Sequence, residues 1–327
     1  MQMYKNPGKP SSRLVSIINH RDFVLILALV AGFLLGDHTR VLADISVYTL
    51  ALVMVFSTTG FTFKSWVPLN NAVTPIVWST FLNYIIFGMV LVALAWLFFG
   101  GASESAFFIG FVLLAAAPPG PSVIPFAAMI KGDDHFSVTG VFGLHMLAML
   151  LTPLILWLFL GQALIHPMDV FKIMLKLVVI PLVLSRFLRH KKVLPVVEKS
   201  RETVIKWGFF LVVMPIMGMS AGVLASQPWA VLKVSALVII SMYGLGFAYH
   251  FLMVRWRKKH AFIVSSTLMM VTKSSAFSAV AAFSFFGDKP MVALPSAVVS
   301  VFVTLFIIVY PYFIRMMDLF DSRQLEG

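Results

Sequence analysis

The chain reads as an all-α polytopic membrane protein, with ten transmembrane helices in two five-helix repeats inserted in opposite orientations. Three observations predict this. The 327 residues are 60% hydrophobic with a mean hydropathy of +0.96, whereas soluble domains are roughly 45–50% apolar. Charged residues make up 12% of the chain, about half the usual share. Apolar stretches also recur at the ~20-residue length that a bilayer crossing requires, and two of them break midway at corresponding places.

In chain order the expected spans are 22–37, 43–61, 72–99, 104–130, 136–162, 169–188, 203–226, 230–254, 260–286 and 290–316. The first is short, and residues 14–18 could approach it as an amphipathic segment at the interface. Five crossings per half is an odd number, so the second half must enter the membrane upside down relative to the first. The divisions are a cytoplasmic segment 1–21, a first repeat 22–162, a connector 163–168, an inverted repeat 169–316 and a cytoplasmic tail 317–327. No cleavable signal is expected, because Lys5, Lys9, Arg13 and Arg21 precede the first span without a convincing small-residue cleavage site after it.

Charge sets the orientation. Of 25 Lys and Arg residues, the outer side keeps only Arg40, Lys172, Lys176, Lys233 and Lys289. Lys206 falls near a cytoplasmic helix end and Lys273 inside the membrane; the rest lie in cytoplasmic segments, so both termini are expected inside. The basic stretch 186–201 reads as a solvated cytoplasmic loop. A net charge of +12 is thereby assigned to topology rather than to nucleic acid. Trp66 and Trp229 fall near helix ends, as interfacial aromatics do. Without cysteine the chain has no disulfide, thiol nucleophile or Cys-based metal site.

The two interrupted spans carry the functional signal. The first breaks at Pro118, Pro119, Gly120, Pro121 and Ser122, where the prolines remove amide donors and clash with preceding carbonyls. The second breaks at Thr272, Lys273, Ser274 and Ser275. The turns after them, Gly132-Asp133 and Gly287-Asp288, keep the same offset. Paired interrupted segments in corresponding halves point to a binding site at the bilayer midplane, because unwound backbone at that depth must line a cavity or be buried by protein. A single break could be a proline kink; the pair favours a site.

Lys273 sits mid-span, where insertion costs about 2.5–3.5 kcal/mol. It could be a fixed cation standing where another carrier binds Na⁺, a proton carrier or a direct partner for an anionic substrate; snorkelling or pairing with carbonyls is the plainer alternative. All thirteen acidic residues fall at helix ends or in loops, so no carboxylate is available for a mid-membrane Na⁺ site. Asn83 and His145 are further intramembrane polar residues, either functional or simply packed. The hydroxyls of Ser57, Thr58 and Thr59 are expected to bond back to their own helix, and Lys176 and His250 to lie near enough to span ends to snorkel. No metal-ligand pair at helical spacing, no Ser-His-Asp set and no phosphate-binding glycine loop occurs, so no enzyme activity and no cofactor are expected.

At these residues the chain resembles the bile acid:sodium symporter superfamily. Gly60-Phe61-Thr62-Phe63-Lys64 is similar to the family's G-x-T-x-K stretch, and Pro118-Pro119-Gly120 with Lys131-Gly132 to its proline-glycine crossover and the turn after it. Residues 176–184 (KLVVIPLVL) and 290–301 (PMVALPSAVVSV) resemble its sixth and tenth helices. The resemblance implies ten helices in inverted repeats with helices 4 and 9 broken and crossing. It also marks departures. A Ser-Asn pair of sodium-using members falls on Val123 and Ile124; of two hydroxyls on the next helix, Ser137 persists and the other is Val141. The sodium-binding glutamate falls on Met269, the glutamine four residues later on Lys273, and a helix-three glutamine on Ile85, two positions from Asn83.

The expected function is secondary transport of a small organic anion or amphipathic acid by alternating access, with Lys273 replacing a sodium ligand and coupling to a proton or to nothing. Sodium-coupled symport is the alternative within the class, and a channel or sensor the alternative outside it. Substrate contacts are expected from Pro119, Gly120, Ser122, Lys273, Ser274 and Ser275, with Lys273 and His145 as coupling groups and Asn83, Ser137 and Thr272 in support. The expected partners are the substrate anion and the bilayer, here the plasma (inner) membrane.

Overall fold

A computed structural model describes residues 21–59, 70–100, 106–161, 165–287 and 289–325. The expected interfacial segment 14–18, the Gly60–Lys64 motif, Trp66 and the second turn's Asp288 lie outside them. The described residues form helices and no strand. They are α1 (Arg21–Leu35), α2 (Arg40–Thr58), α3 (Asn70–Phe99), α4 (Ala106–Ala116), α5 (Val123–Met129), α6 (Asp134–Leu160), α7 (167–188), α8 (Leu194–Ser226), α9 (Pro228–Arg255), α10 (His260–Val271), α11 (Ser275–Phe286) and α12 (Leu294–Leu325). π-Helical stretches interrupt α3 at Phe81–Gly88, α7 at Leu175–Val179 and α9 at Ile239–Gly244.

Among the described residues, seven helical stretches are long and apolar enough to cross a membrane: Ile26–Thr58, Asn70–Phe99, Asp134–Leu160, Leu194–Gly222, Pro228–Arg255, His260–Phe286 and Leu294–Met317. The first of these reverses direction at Gly36, whose φ of +54° disfavours residues with a Cβ. Gly32 and Gly218 lie where a Cβ would collide with the backbone of Met214 and Gly36, while Gly208 lies under Val53. Thus α1 runs along α8 in the same direction and α2 returns along it in the other. Small residues permit this close backbone approach, which membrane helices use in place of a hydrophobic driving force.

Two bodies follow from the packing. α1, α2, α7 and α8 pack on one another as a four-helix layer. α3, α4, α6, α9, α10 and α12 pack as a bundle around the broken segments. Within it α4 lies against α11, and α5 against α10, so the two interrupted segments cross and meet at their breaks. Ends of elements follow local chemistry. Asp133 caps α6 by accepting the Phe136 amide at 2.9 Å, Pro167 and Pro228 open α7 and α9, and Ser274 caps α11.

Three sequence expectations need correction or refinement. The stretch 186–201 is mostly helical, with α7 running to Leu188 and α8 starting at Leu194. Arg186 and Arg201 are not simply solvated: each donates an NH2 hydrogen bond, to Thr58 O at 3.0 Å and to Ser57 O at 3.1 Å, holding the C-terminal end of α2. His250 does not snorkel; it is 1% exposed and shares a 2.8 Å hydrogen bond with the Tyr310 hydroxyl of α12. Thr58 and Thr59 bond back to Met54 O and Phe56 O of their own helix, as expected.

Candidate functional site

The first break spans 117–122 and the second 272–274. A helix that stops inside the protein leaves its last four carbonyls without helical partners, and buried carbonyls must find partners there. At α4 each carbonyl can be accounted for. Leu113 O and Leu114 O accept the Ala117 amide at 3.0 and 3.2 Å. Ala116 O accepts the Thr152 hydroxyl of α6 at 2.7 Å, and Pro118 O accepts the Ser274 amide at 2.9 Å, which ties the two breaks together. The remaining two, Ala115 O and Ala117 O, accept Lys273 Nζ at 2.7 and 3.0 Å.

The third ammonium hydrogen goes to Asn83 Oδ1 at 2.7 Å. Lysine has three donors, and all three are used. Its Nζ also lies 4.2 Å from the centre of the Tyr84 ring, a cation–π contact worth about 2 kcal/mol where water is absent. Asn83 in turn donates Nδ2 to Met269 O of α10 at 2.8 Å. Lys273 is 3% exposed, and neither ion pair found among the described residues involves it. The ammonium is therefore neutralised by dipoles: the C-terminal end of α4 holds it directly, and the end of α10 through Asn83.

The π-helical stretch of α3 explains why Asn83, and not the position of the resembling glutamine, meets the lysine. Its wider turn buries both Asn83 and Tyr84 while Ile85 faces outward, 52% exposed. Sequence reasoning missed Tyr84 and Thr152. The only local signal for Thr152 is a hydroxyl residue just before Pro153, in a helix otherwise rich in apolar residues.

Beside the breaks lies a cavity of about 90 Å³ between the bundle and the four-helix layer. Gly120, Ser122, Thr272, Lys273, Ser274 and Ser275 line it from the breaks; Leu29, Phe209 and Val213 from the layer; Ser300 and Thr304 from α12. Pro119 is buried behind this wall. Ser137 is elsewhere, donating to Ser265 Oγ at 2.8 Å near the α6 N-terminus, and Asn83 reaches the site only through the lysine. His145 Nδ1 donates to Val141 O at 2.7 Å and lines a second, smaller cavity. No cluster of three His, Cys, Asp or Glu able to hold a metal ion occurs among the described residues.

Crossed, interrupted helices sealed by polar groups at the centre of an apolar helical bundle are an arrangement that membrane transporters use. The particular family follows from sequence. The chain belongs to the Sodium Bile acid symporter family, whose profile matches residues 47–227, just over half of the sequence. It is thus a multi-pass membrane transporter of the bile acid symporter type. The matched region includes the first break and ends before the second, so Lys273 lies beyond it. No curated protein matches the sequence.

Proposed function

We propose that this protein carries a small organic anion across the plasma membrane by alternating access and without bound Na⁺, with Lys273 as a tethered cation in the place of a coupling ion. The observation that carries the reading is the ammonium itself, bonded at 2.7–3.0 Å to Asn83 and to two carbonyls of the facing break. Carbonyl and amide oxygens are the ligands a hard cation takes; here a covalently held charge has them. Val123, Ile124 and Met269 leave no side-chain oxygen at the positions where the family resemblance puts sodium ligands.

The substrate anion binds in the 90 Å³ cavity. Ser274 spends its side chain on the Phe277 amide at 3.2 Å, so the amides of Ser275 and Ala276 at the positive end of α11 remain for the ligand. Ser122 and Ser275 add hydroxyls, and Thr272 and Gly120 shape the wall. Lys273 supplies positive potential from behind rather than a direct contact, since its three donors are already used. Pro119 keeps the first break open, and Ser137 braces the cytoplasmic end of α6.

Ten spans in two inverted repeats fit this role. Supporting that reading are the matching breaks, the crossing of α4–α5 with α10–α11, and π-helical stretches in α3 and α9, the third helix of each half. Arg40 NH2 meets Gly287 O at 3.3 Å, pairing two residues that charge assigns to the outer side. Arg186 and Arg201 meet the end of α2 at the side assigned to the cytoplasm, consistent with cytoplasmic termini.

The test is counterflow in proteoliposomes with radiolabelled lactate, benzoate, cholate and taurocholate, in Na⁺ or K⁺ buffer. Saturable exchange of equal rate in both is the expected result. A strict Na⁺ requirement overturns the tethered-cation reading, and no exchange of any of the four overturns the organic-anion reading.

A further inference from the structure

The second cavity has a volume of about 10 Å³, the room one water needs. It lies where the four-helix layer meets the bundle. Leu50 and Met54 of α2, Leu177 and Val178 of α7 and Phe209 of α8 form one side; Pro118, Pro121, Ser274, Phe277 and His145 form the other. His145 is 5% exposed. Its Nδ1 faces a carbonyl, Val141 O, at 2.7 Å; a carbonyl only accepts, so Nδ1 carries the hydrogen and Nε2 keeps its lone pair. Among the described residues none is found hydrogen-bonded to Nε2. The Ser274 oxygen across the cavity accepts from the Phe277 amide, and its own hydrogen is free for a water shared with His145.

We propose that His145 is the proton-binding group of this carrier. A proton adds to the Nε2 lone pair, making an imidazolium, when the cavity opens to one side of the membrane; it leaves from the same nitrogen when the cavity opens to the other. This rests on the carrier reading above, because the movement of layer against bundle that would open the cavity belongs to that reading. No residue facing His145 across it is charged or titratable: α2 presents Leu50 and Met54, α7 Leu177 and Val178, α8 Phe209, and the breaks Pro118, Pro121, Ser274 and Phe277. Lys273, the neighbour of Ser274, directs its ammonium to Asn83 and the α4 carbonyls instead. Among the described residues lining this cavity, His145 is accordingly the basic group with an open lone pair, and a proton there alters the charge touching the second break.

The test uses the full chain in proteoliposomes and whichever of lactate, benzoate, cholate and taurocholate exchanges fastest, with protein-free vesicles subtracted for passive permeation. An alkaline interior should drive accumulation of a singly charged anion carried with one proton, approaching about tenfold per unit of pH gradient. His145→Asn keeps a donor for Val141 O and cannot be protonated; its ratio of gradient-driven accumulation to exchange should fall to that of the no-gradient control. His145→Gln serves if the Asn variant is not monodisperse. Either variant accumulating like the wild type overturns the inference, as does a wild type that exchanges but ignores the gradient. A wild type that exchanges none of the four acids instead overturns the carrier reading.

Discussion

The two helix breaks occupy matching places and solve the same problem in opposite ways. The first is made by proline and is rich in carbonyls that lack a helical amide; it is an acceptor. The second has no proline, is shorter, and brings a cation, an amide and a hydroxyl cap; it is mainly a donor. Lys273 and the Ser274 amide of the second satisfy Ala115, Ala117 and Pro118 of the first. Neither break could be buried in a membrane alone. Their pairing therefore holds together two segments distant in sequence, and a sequence change on one side should be felt on the other.

The largest effect is expected at the cation. Lys273→Met leaves two buried carbonyls and Asn83 Oδ1 without partners, and removal of one member of such a set costs about 3–5 kcal/mol. Thermal unfolding in detergent should show a drop of several degrees. Lys273→Ala should be partly restored by propylammonium or Na⁺ at concentrations well above their Kd, a gain of about 2.7 kcal/mol at a hundredfold excess, while the wild type ignores both. If neither cation restores the Ala variant, the tethered-charge account of the pairing fails.

Next is Thr152→Val, which removes only the partner of Ala116 O at nearly constant volume. A loss of about 1–2 kcal/mol is expected, with Thr152→Ser near wild type. Equal stability of Val and Thr would mean that the first break does not depend on α6. The smallest effect belongs to Ser274→Ala, which deletes the cap of α11 on the Phe277 amide at about 1 kcal/mol. Because that change touches the donor break alone, the Lys273–carbonyl bonds should survive it, and a loss as large as that of Lys273→Met would show the breaks to be less separable in function than their chemistry suggests.

Much of this was legible from residue order. Pro118, Pro119 and Pro121 cannot continue a helix, and an apolar span with Lys273 at its centre announces a buried charge. Other features were not. Leu194–Arg201 looked like loop because charge density resembles solvation, yet it forms the first turns of α8, and Arg201 caps α2. His250 looked near enough to an end to reach water; Tyr310, 60 residues later, holds it inside. Asn83 and Ile85 were ambiguous because a π-helical stretch changes which side chains share a face, and periodicity counted at 3.6 residues per turn does not show it.

Local chemistry determined where two helices must stop, that the chain belongs in a bilayer and that one charge is buried. Those properties depend on residues a few positions apart: hydropathy over a span, a missing amide at proline. What the ammonium is for was decided only in three dimensions. Its partners at 83, 115 and 117 are set by how α3, α4 and the second break cross, and a hydrogen-bond donor acquires a role only from the acceptors that folding puts within 3 Å of it.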